Sequence, residues 1–169
     1  EVMNRQPVNL FDLVEEVSDE LKIFTEGERP IRFFNGVSPD LEVLADRTQL
    51  FRALFNLARN AAEALSGEAM ERPQVVFSAR RGEDIVIIEV HDNGPGIPEK
   101  ARENLFVPFR GSVRRGGSGL GLAIASETVR AHGGEIDLVE TGPEGTIFRI
   151  PLPQPAVAAP KGRREKVPH

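Results

Sequence analysis

The sequence predicts an α+β sandwich of two layers, a mixed β-sheet covered by helices on one face, and three observations predict it. The stretch Asp46 to Leu65, DRTQLFRALFNLARNAAEAL, has the apolar spacing of a core-facing helix. Two runs, Gln74 to Arg80 and Asp84 to His91, joined by Arg81, Gly82 and Glu83, read as an antiparallel hairpin. A glycine-rich stretch then opens another helix, which a last strand pair follows, so helices gather while strands mostly pair with their neighbours in sequence.

Composition narrows the function classes. The 169 residues suit one domain with a tail, and the 40% apolar share is ordinary for a packed core. There is no cysteine, which removes disulfides, thiolate metal sites and a thiol nucleophile, and is compatible with a reducing compartment. A formal net charge of -5 argues against nucleic acid as the main partner but not against a Mg²⁺-complexed ligand. No apolar run approaches the length needed to span a bilayer and no signal-peptide pattern opens the chain, so this polypeptide is expected to be soluble and without membrane contact.

Taken in order, Val8 to Phe24 carries Leu10, Leu13, Val14, Val17, Leu21 and Phe24 at helical spacing. Ile31 to Phe34 and Leu41 to Leu44 are short strand candidates separated by a turn-rich cluster of Asn35, Gly36, Ser38 and Pro39. In the helix from Asp46 to Leu65, Asp46 is a suitable N-cap with Gln49 three residues on, and Leu50, Leu54, Leu57, Ala58, Ala61 and Leu65 form the apolar stripe. Ser66 to Pro73 reads as a loop before the hairpin. After it come DNGPGIP from Asp92, a short polar segment from Glu99 to Asn104, LFVPF from Leu105 to Phe109, and an arginine-rich stretch from Arg110 to Arg115. GGSGLGLAIA, Gly116 to Ala125, crowds glycines at the start of a helix that runs to about His132 and is closed by Gly133 and Gly134. Glu135 to Glu140 and Thr146 to Leu152 make the last strand pair, around the turn Gly142 to Gly145. Residues 1–153 thus read as one domain, and 154–169, rich in proline, alanine and charge without periodicity, as a disordered tail or linker.

Three features carry candidate chemistry. Asn56 and Asn60 stand one turn apart in mid-helix, where asparagine is a mediocre helix former. They either hydrogen-bond a neighbouring strand or loop, or share a task such as offering amide oxygens to Mg²⁺. In the strand before Asp92, Val86, Ile88 and Val90 share a face, and the period of two brings Asp92 onto it, aiming a carboxylate inward where the strand stops. Such a group is rare in an interior unless something pairs with it. Finally, the glycines near Ser118 to Gly121 feed a helix N-terminus, which attracts phosphate, although small residues there also serve close packing. The dinucleotide spacing GxGxxG fails, since Leu122 stands where the third glycine should, and no glycine-lysine-Ser/Thr triplet makes a P-loop.

Asn56 to Asn60 with Ala61, then DNGPGIP, then LFVPF, then GGSGLGLAIA, in this order, resembles the catalytic ATP-binding domain of bacterial sensor histidine kinases. That domain belongs to the superfamily shared with type II topoisomerases, heat-shock chaperones of the ninety-kilodalton class and mismatch-repair ATPases. The resemblance runs from about Asn9 to Pro153 and implies the Bergerat-type ATP-binding fold, with ATP and Mg²⁺ as cofactors. It implies that Asn60, with Asn56 close by, ligates Mg²⁺ between the phosphates, and that Asp92 accepts a hydrogen bond from the adenine amino group. Gly94 and Gly96 then leave room for the base, and Thr146 closes the adenine pocket from the final strands. Phe106 and Phe109 match the aromatic box beside a mobile lid from about Val107 to Arg115, with plain core packing as an equal alternative. Gly117, Gly119 and Gly121, with Leu120 in the same stretch, bring backbone amides to the phosphates, and Leu122 packs the hinge of the lid.

Two departures from the pattern matter. Many histidine kinases carry a lysine three residues after the second asparagine, and here that position is Glu63, which is placed to pair with Arg59 one turn earlier. The basic groups left to neutralise a triphosphate are Arg59, Arg110, Arg114 and Arg115. ATP-hydrolysing relatives use a glutamate one turn before the Mg²⁺ asparagine, and here that position is Asn56, which cannot act as a base at neutral pH. Hydrolysis by the domain alone is therefore expected to be slow.

The γ-phosphoryl group is expected to go to an external nucleophile. Of His91, His132 and His169, none has the helical setting followed by an acidic residue that the phosphoacceptor of such kinases occupies. His132 reads as a helix C-terminal residue favoured by the helix dipole. The resemblance therefore implies a two-component kinase domain whose partners are a separate histidine-containing dimerisation domain and a downstream response regulator. It implies a cytoplasmic location for this fragment, whatever the anchoring of its parent, and a monomer in isolation. Two alternatives stay open: a serine kinase or anti-sigma type regulator of the same fold, and a pseudokinase that recruits a partner.

Overall fold

The computed structural model describes residues 2–25, 30–66, 71–108 and 120–155. Their elements, in chain order, are β1 (Gln6–Asn9), α1 (Leu10–Phe24), β2 (Arg32–Asn35), β3 (Glu42–Ala45), α2 (Arg47–Ala64), β4 (Gln74–Gly82), β5 (Ile85–Asp92), α3 (Glu99–Arg102), α4 (Gly121–Ala131), β6 (Asp137–Gly142) and β7 (Gly145–Pro153). Five strands form one mixed sheet in the order β2-β4-β5-β7-β6, in which only β2–β4 is parallel. Along β5, Val86, Ile88, Val90 and Asp92 are buried while the alternate residues are half-buried or exposed, so one face is covered and the other open. On the open face Glu89 and Arg149, directly opposite in register, form an ion pair at 2.7 Å. The α+β two-layer expectation is met.

Two local expectations change. The first helix starts at Leu10 rather than Val8, because the side chain of Asn9 accepts from the Asp12 N–H at 2.8 Å and caps it. Val8 and Asn9 instead end β1, which pairs antiparallel with β3 and buries Val8 against Val43. Strands β2 and β3 are not partners either: β3 turns to β1, and β2 pairs with β4 in parallel. A parallel pair needs a long crossover, and α2 supplies it, which places that helix across the covered face.

Helix α2 is the centre of the core. Its stripe of Leu50, Leu54, Leu57, Ala58, Ala61 and Leu65 is buried as the spacing predicts, joined by Ala53 and Ala62 and packed with Phe77, Ile88 and Ile150. Asp46 caps it, with Oδ1 accepting from the Gln49 N–H at 3.2 Å and Oδ2 from the Asn4 N–H at 2.9 Å. The bond from Asn4 is the main cause that holds the Asp46 carboxyl below its ordinary value of 3.8, with burial opposing it. A depressed folded-state pKa adds stability that is present above the ordinary value and is lost as pH falls through the folded one. Asp46→Asn is therefore expected to be less stable than wild type at neutral pH, with the difference shrinking below about pH 4. Urea unfolding at a series of pH values checks this, and a constant difference down to the acid limit would count against it.

Past the expected domain boundary at Pro153, Gln154 is anchored. Its Oε1 accepts from the Leu44 N–H at 2.8 Å and its Nε2 donates to the Leu44 carbonyl at 3.3 Å. The rest of the expected tail, from residue 156, lies outside the described residues.

Candidate functional site

One stripe of α2 organises the site. Asn56, Asn60 and Ala64 succeed one another at i, i+4 and i+8, so they line one side of the helix over about 12 Å of axis. At the Asn56 end stands the start of α4, where a Cβ added to Gly121 would lie 3.5 Å from the Asn56 side-chain oxygen. At the Ala64 end stands the loop after β5, where a Cβ added to Gly94 would lie 3.1 Å from Oδ1 of Asp92, 3.3 Å from Leu65 and 3.6 Å from Ala64. Asn60 is midway between the two, and both asparagines are half-buried. The structure thus brings Asn56, Asn60, Asp92, Gly94 and Gly121 along a single line.

Asp92 ends β5 on the covered face, 5% exposed, as the period of two predicts. Its Oδ1 accepts from the Gly94 N–H at 2.8 Å, which fixes the carboxylate. Directly opposite in register stands Thr146, also buried, on the same face of the sheet. The Thr146 hydroxyl lies 2.8 Å from the Thr141 hydroxyl, which in turn accepts from the Ile97 N–H at 2.8 Å. Gly96 adopts φ +93, and a Cβ there would meet the Gly142 carbonyl oxygen at 2.5 Å. The DNGPGIP loop is therefore latched onto the β6–β7 hairpin. Sequence reasoning missed Thr141, whose signal was its place opposite Thr146 across a short turn. It also missed Asn93, which accepts from the Gln74 N–H and donates to the Arg72 carbonyl, tying the same loop to β4.

At the other end, among the described residues no side-chain hydrogen bond caps the start of α4. Its first-turn N–H groups and dipole make that end attractive to an anion. Leu120 is half-buried at the cap and Leu122 is buried in the core. Phe106 is half-buried with its ring edge-on to Phe148, centroids 6.1 Å apart, which is a packing contact. Arg59 pairs with Glu63 at 3.6 Å, as expected, and stands about 100° around the helix from Asn60. Phe109, Arg110, Arg114, Arg115, Gly117 and Gly119 lie outside the described residues, as does His169.

His91 is exposed on the open face of the sheet, beside Ile147 in register. His132 stands at the C-terminal cap of α4, as expected, and is bonded more closely than its position foretold. Its ring is buried, with Nδ1 2.9 Å from the Thr128 carbonyl oxygen and Nε2 accepting from the Asp46 N–H at 3.1 Å. A carbonyl only accepts and an N–H only donates, so this pair of bonds requires a neutral imidazole rather than a cation attracted by the dipole.

The fold is thus an α+β sandwich with an inward carboxylate at a strand end and two amides along the neighbouring helix. The family model for histidine kinase-, DNA gyrase B- and HSP90-like ATPases matches residues 45–156, and the chain belongs to that family. It is 37% identical over 154 residues to the sensory histidine kinase/phosphatase NtrB of Vibrio alginolyticus, an alignment covering 86% of this chain and 43% of that protein. The catalytic domain of the histidine kinase ThkA matches at a TM-score of 0.73 and 30% identity, over 90% of this chain and 97% of that one. Full-length ShkA, solved in complex with AMPPNP, matches at 0.74 and 28%, over 92% of this chain and 32% of that one. Within the family this is a catalytic domain of the sensor histidine kinase type, and it spans less than half the length of its NtrB relative. Among the described residues, no helix is long and apolar enough to cross a membrane.

Proposed function

We propose that residues 1–153 bind Mg²⁺·ATP and transfer its γ-phosphoryl group to a histidine on a separate dimerisation domain, with a response regulator receiving the group afterwards. The observation that carries this reading is the stripe on α2, with Asp92 at one end, the start of α4 at the other and Asn60 between them. Adenine is held at Asp92 and Thr146, with Gly94 and Gly96 allowing its close approach. The phosphates lie toward α4, where the backbone N–H groups of Gly121 and Leu122 and the helix dipole favour their charge.

The donor set suits magnesium. Asn56 and Asn60 offer hard amide oxygens, and Mg²⁺ typically takes one or two protein ligands with the rest from phosphates and water. Such an ion would be shared between these amides and the nucleotide phosphates. When bound, it neutralises charge on the transferring phosphoryl group, and the protein contributes position and field. Asn56 stands where ATP-hydrolysing relatives carry a glutamate to activate water, which supports transfer over hydrolysis.

Asn60→Ala is expected to keep nucleotide binding but lose its dependence on Mg²⁺, with affinity in saturating Mg²⁺ falling about tenfold toward the metal-free value. Calorimetric titration with a non-hydrolysable ATP analogue, with and without Mg²⁺, measures this. A variant that retains the full Mg²⁺ effect would remove Asn60 from the metal site.

A further inference from the structure

We propose that Asp46 and His132 are positioning residues for the phosphate end of the site, clamping the N-terminal segment at Asn4 onto the shared far end of α2 and α4. This rests on the nucleotide reading above. Neither residue touches the line from Asn56 to Asp92, yet both are buried polar groups, and bonds between them and to Asn4 tie the end of α4, the start of α2 and the N-terminal segment together.

The geometry is a closed frame. The neutral ring of His132 binds its own helix at the Thr128 carbonyl and the first residue of the α2 cap at the Asp46 N–H. The Asp46 carboxylate divides its oxygens between α2, through Gln49, and the incoming chain, through Asn4. The Arg5 guanidinium adds a bond to the Ala131 carbonyl at 3.4 Å, the last residue of α4. At the opposite end of α4, Gly121 abuts Asn56. The two helices therefore run antiparallel, pinned together at the N-terminus of α2 and again near its middle.

A helix is a stiff element, and α4 carries about 16 Å from His132 to Gly121. A shift at the clamp moves the start of α4 against Asn56, whereas Asp92 is held independently by Gly94 and the β6–β7 hairpin. The position of the segment at Asn4 is thereby communicated to the phosphate end and not to the adenine end.

The test compares two ligands on the whole chain: Mg²⁺ with a non-hydrolysable ATP analogue, which uses both ends, and adenosine, which uses only the adenine end. His132→Ala is expected to weaken the analogue about tenfold while leaving adenosine within about twofold of wild type, the size of an ordinary coupling between linked sites. His132→Gln, which keeps an acceptor and a donor, is expected to restore most of the loss. Asn4→Pro, which removes the N–H given to Asp46, should show the same selective loss in smaller measure, and it carries the comparison should His132→Ala not fold. Equal weakening of both ligands, or a lowered Tm with both affinities unchanged, would overturn the proposal as a general structural effect. A wild-type chain that binds neither ligand overturns the nucleotide reading itself, a result distinct from loss in the variants alone.

Discussion

Asp92→Asn is expected to abolish nucleotide binding at ordinary concentrations, lowering affinity at least about 100-fold, or about 2.7 kcal/mol. The side chain is isosteric, so the fold should survive with little change in Tm. What changes is the hydrogen-bond code. The Gly94 N–H can only donate, so the amide oxygen of the new residue keeps that bond and its NH₂ group takes the place of the other carboxylate oxygen. In the proposed site a donor then faces the amino group of adenine. Losing a charge-assisted bond costs about 1.5–3 kcal/mol, and an unpaired pair of donors in a buried setting adds to it. Calorimetric titration with the ATP analogue reads the effect directly. An affinity within a few-fold of wild type would show that Asp92 is not the adenine contact.

Gly145→Ala is expected to cost about 3 kcal/mol or more of stability, from strain and overlap together. Gly145 adopts φ +140, a conformation that L side chains rarely reach, and a Cβ there would lie 2.2 Å from the Asp92 carbonyl oxygen and 3.2 Å from Asn93 Cα. Both neighbours are backbone, so neither can swing aside. Relief requires β7 to move off β5 where Thr146 faces Asp92, which removes nucleotide binding along with stability. For a chain of this size the expected fall in Tm is roughly 6–12 °C. Thermal unfolding followed by circular dichroism checks it, with Gly142→Ala as a control, since a Cβ at Gly142 meets nothing within 4 Å. Equal melting of the two variants would show that the turn gives way more easily than its packing implies.

Helix α2 was legible nearly to the residue because its signals are local: a capping aspartate, an apolar stripe of constant period and a mid-helix pair of amides all lie within twenty consecutive positions. The inward direction of Asp92 was equally legible, since alternation along one strand needs no knowledge of its neighbours. The pairing of β2 with β4 was not, because a four-residue strand names no partner and the crossover depends on where α2 packs. Thr141 escaped for a related reason. Its role arises from a bond to Ile97, more than forty positions away, across a loop whose path the sequence leaves open.

The sequence by itself determined the fold class, the run of helices and later strands, and which residues the proposed nucleotide site draws on, because periodicity, capping and turn chemistry act over a few residues. Only the tertiary structure decided that β1 exists, that Asn56, Asn60 and Ala64 join the start of α4 to the loop of Asp92, and that His132 is a buried neutral link to Asp46. Those facts depend on which surfaces close over one another when the core is buried, and burial is a property of the whole chain.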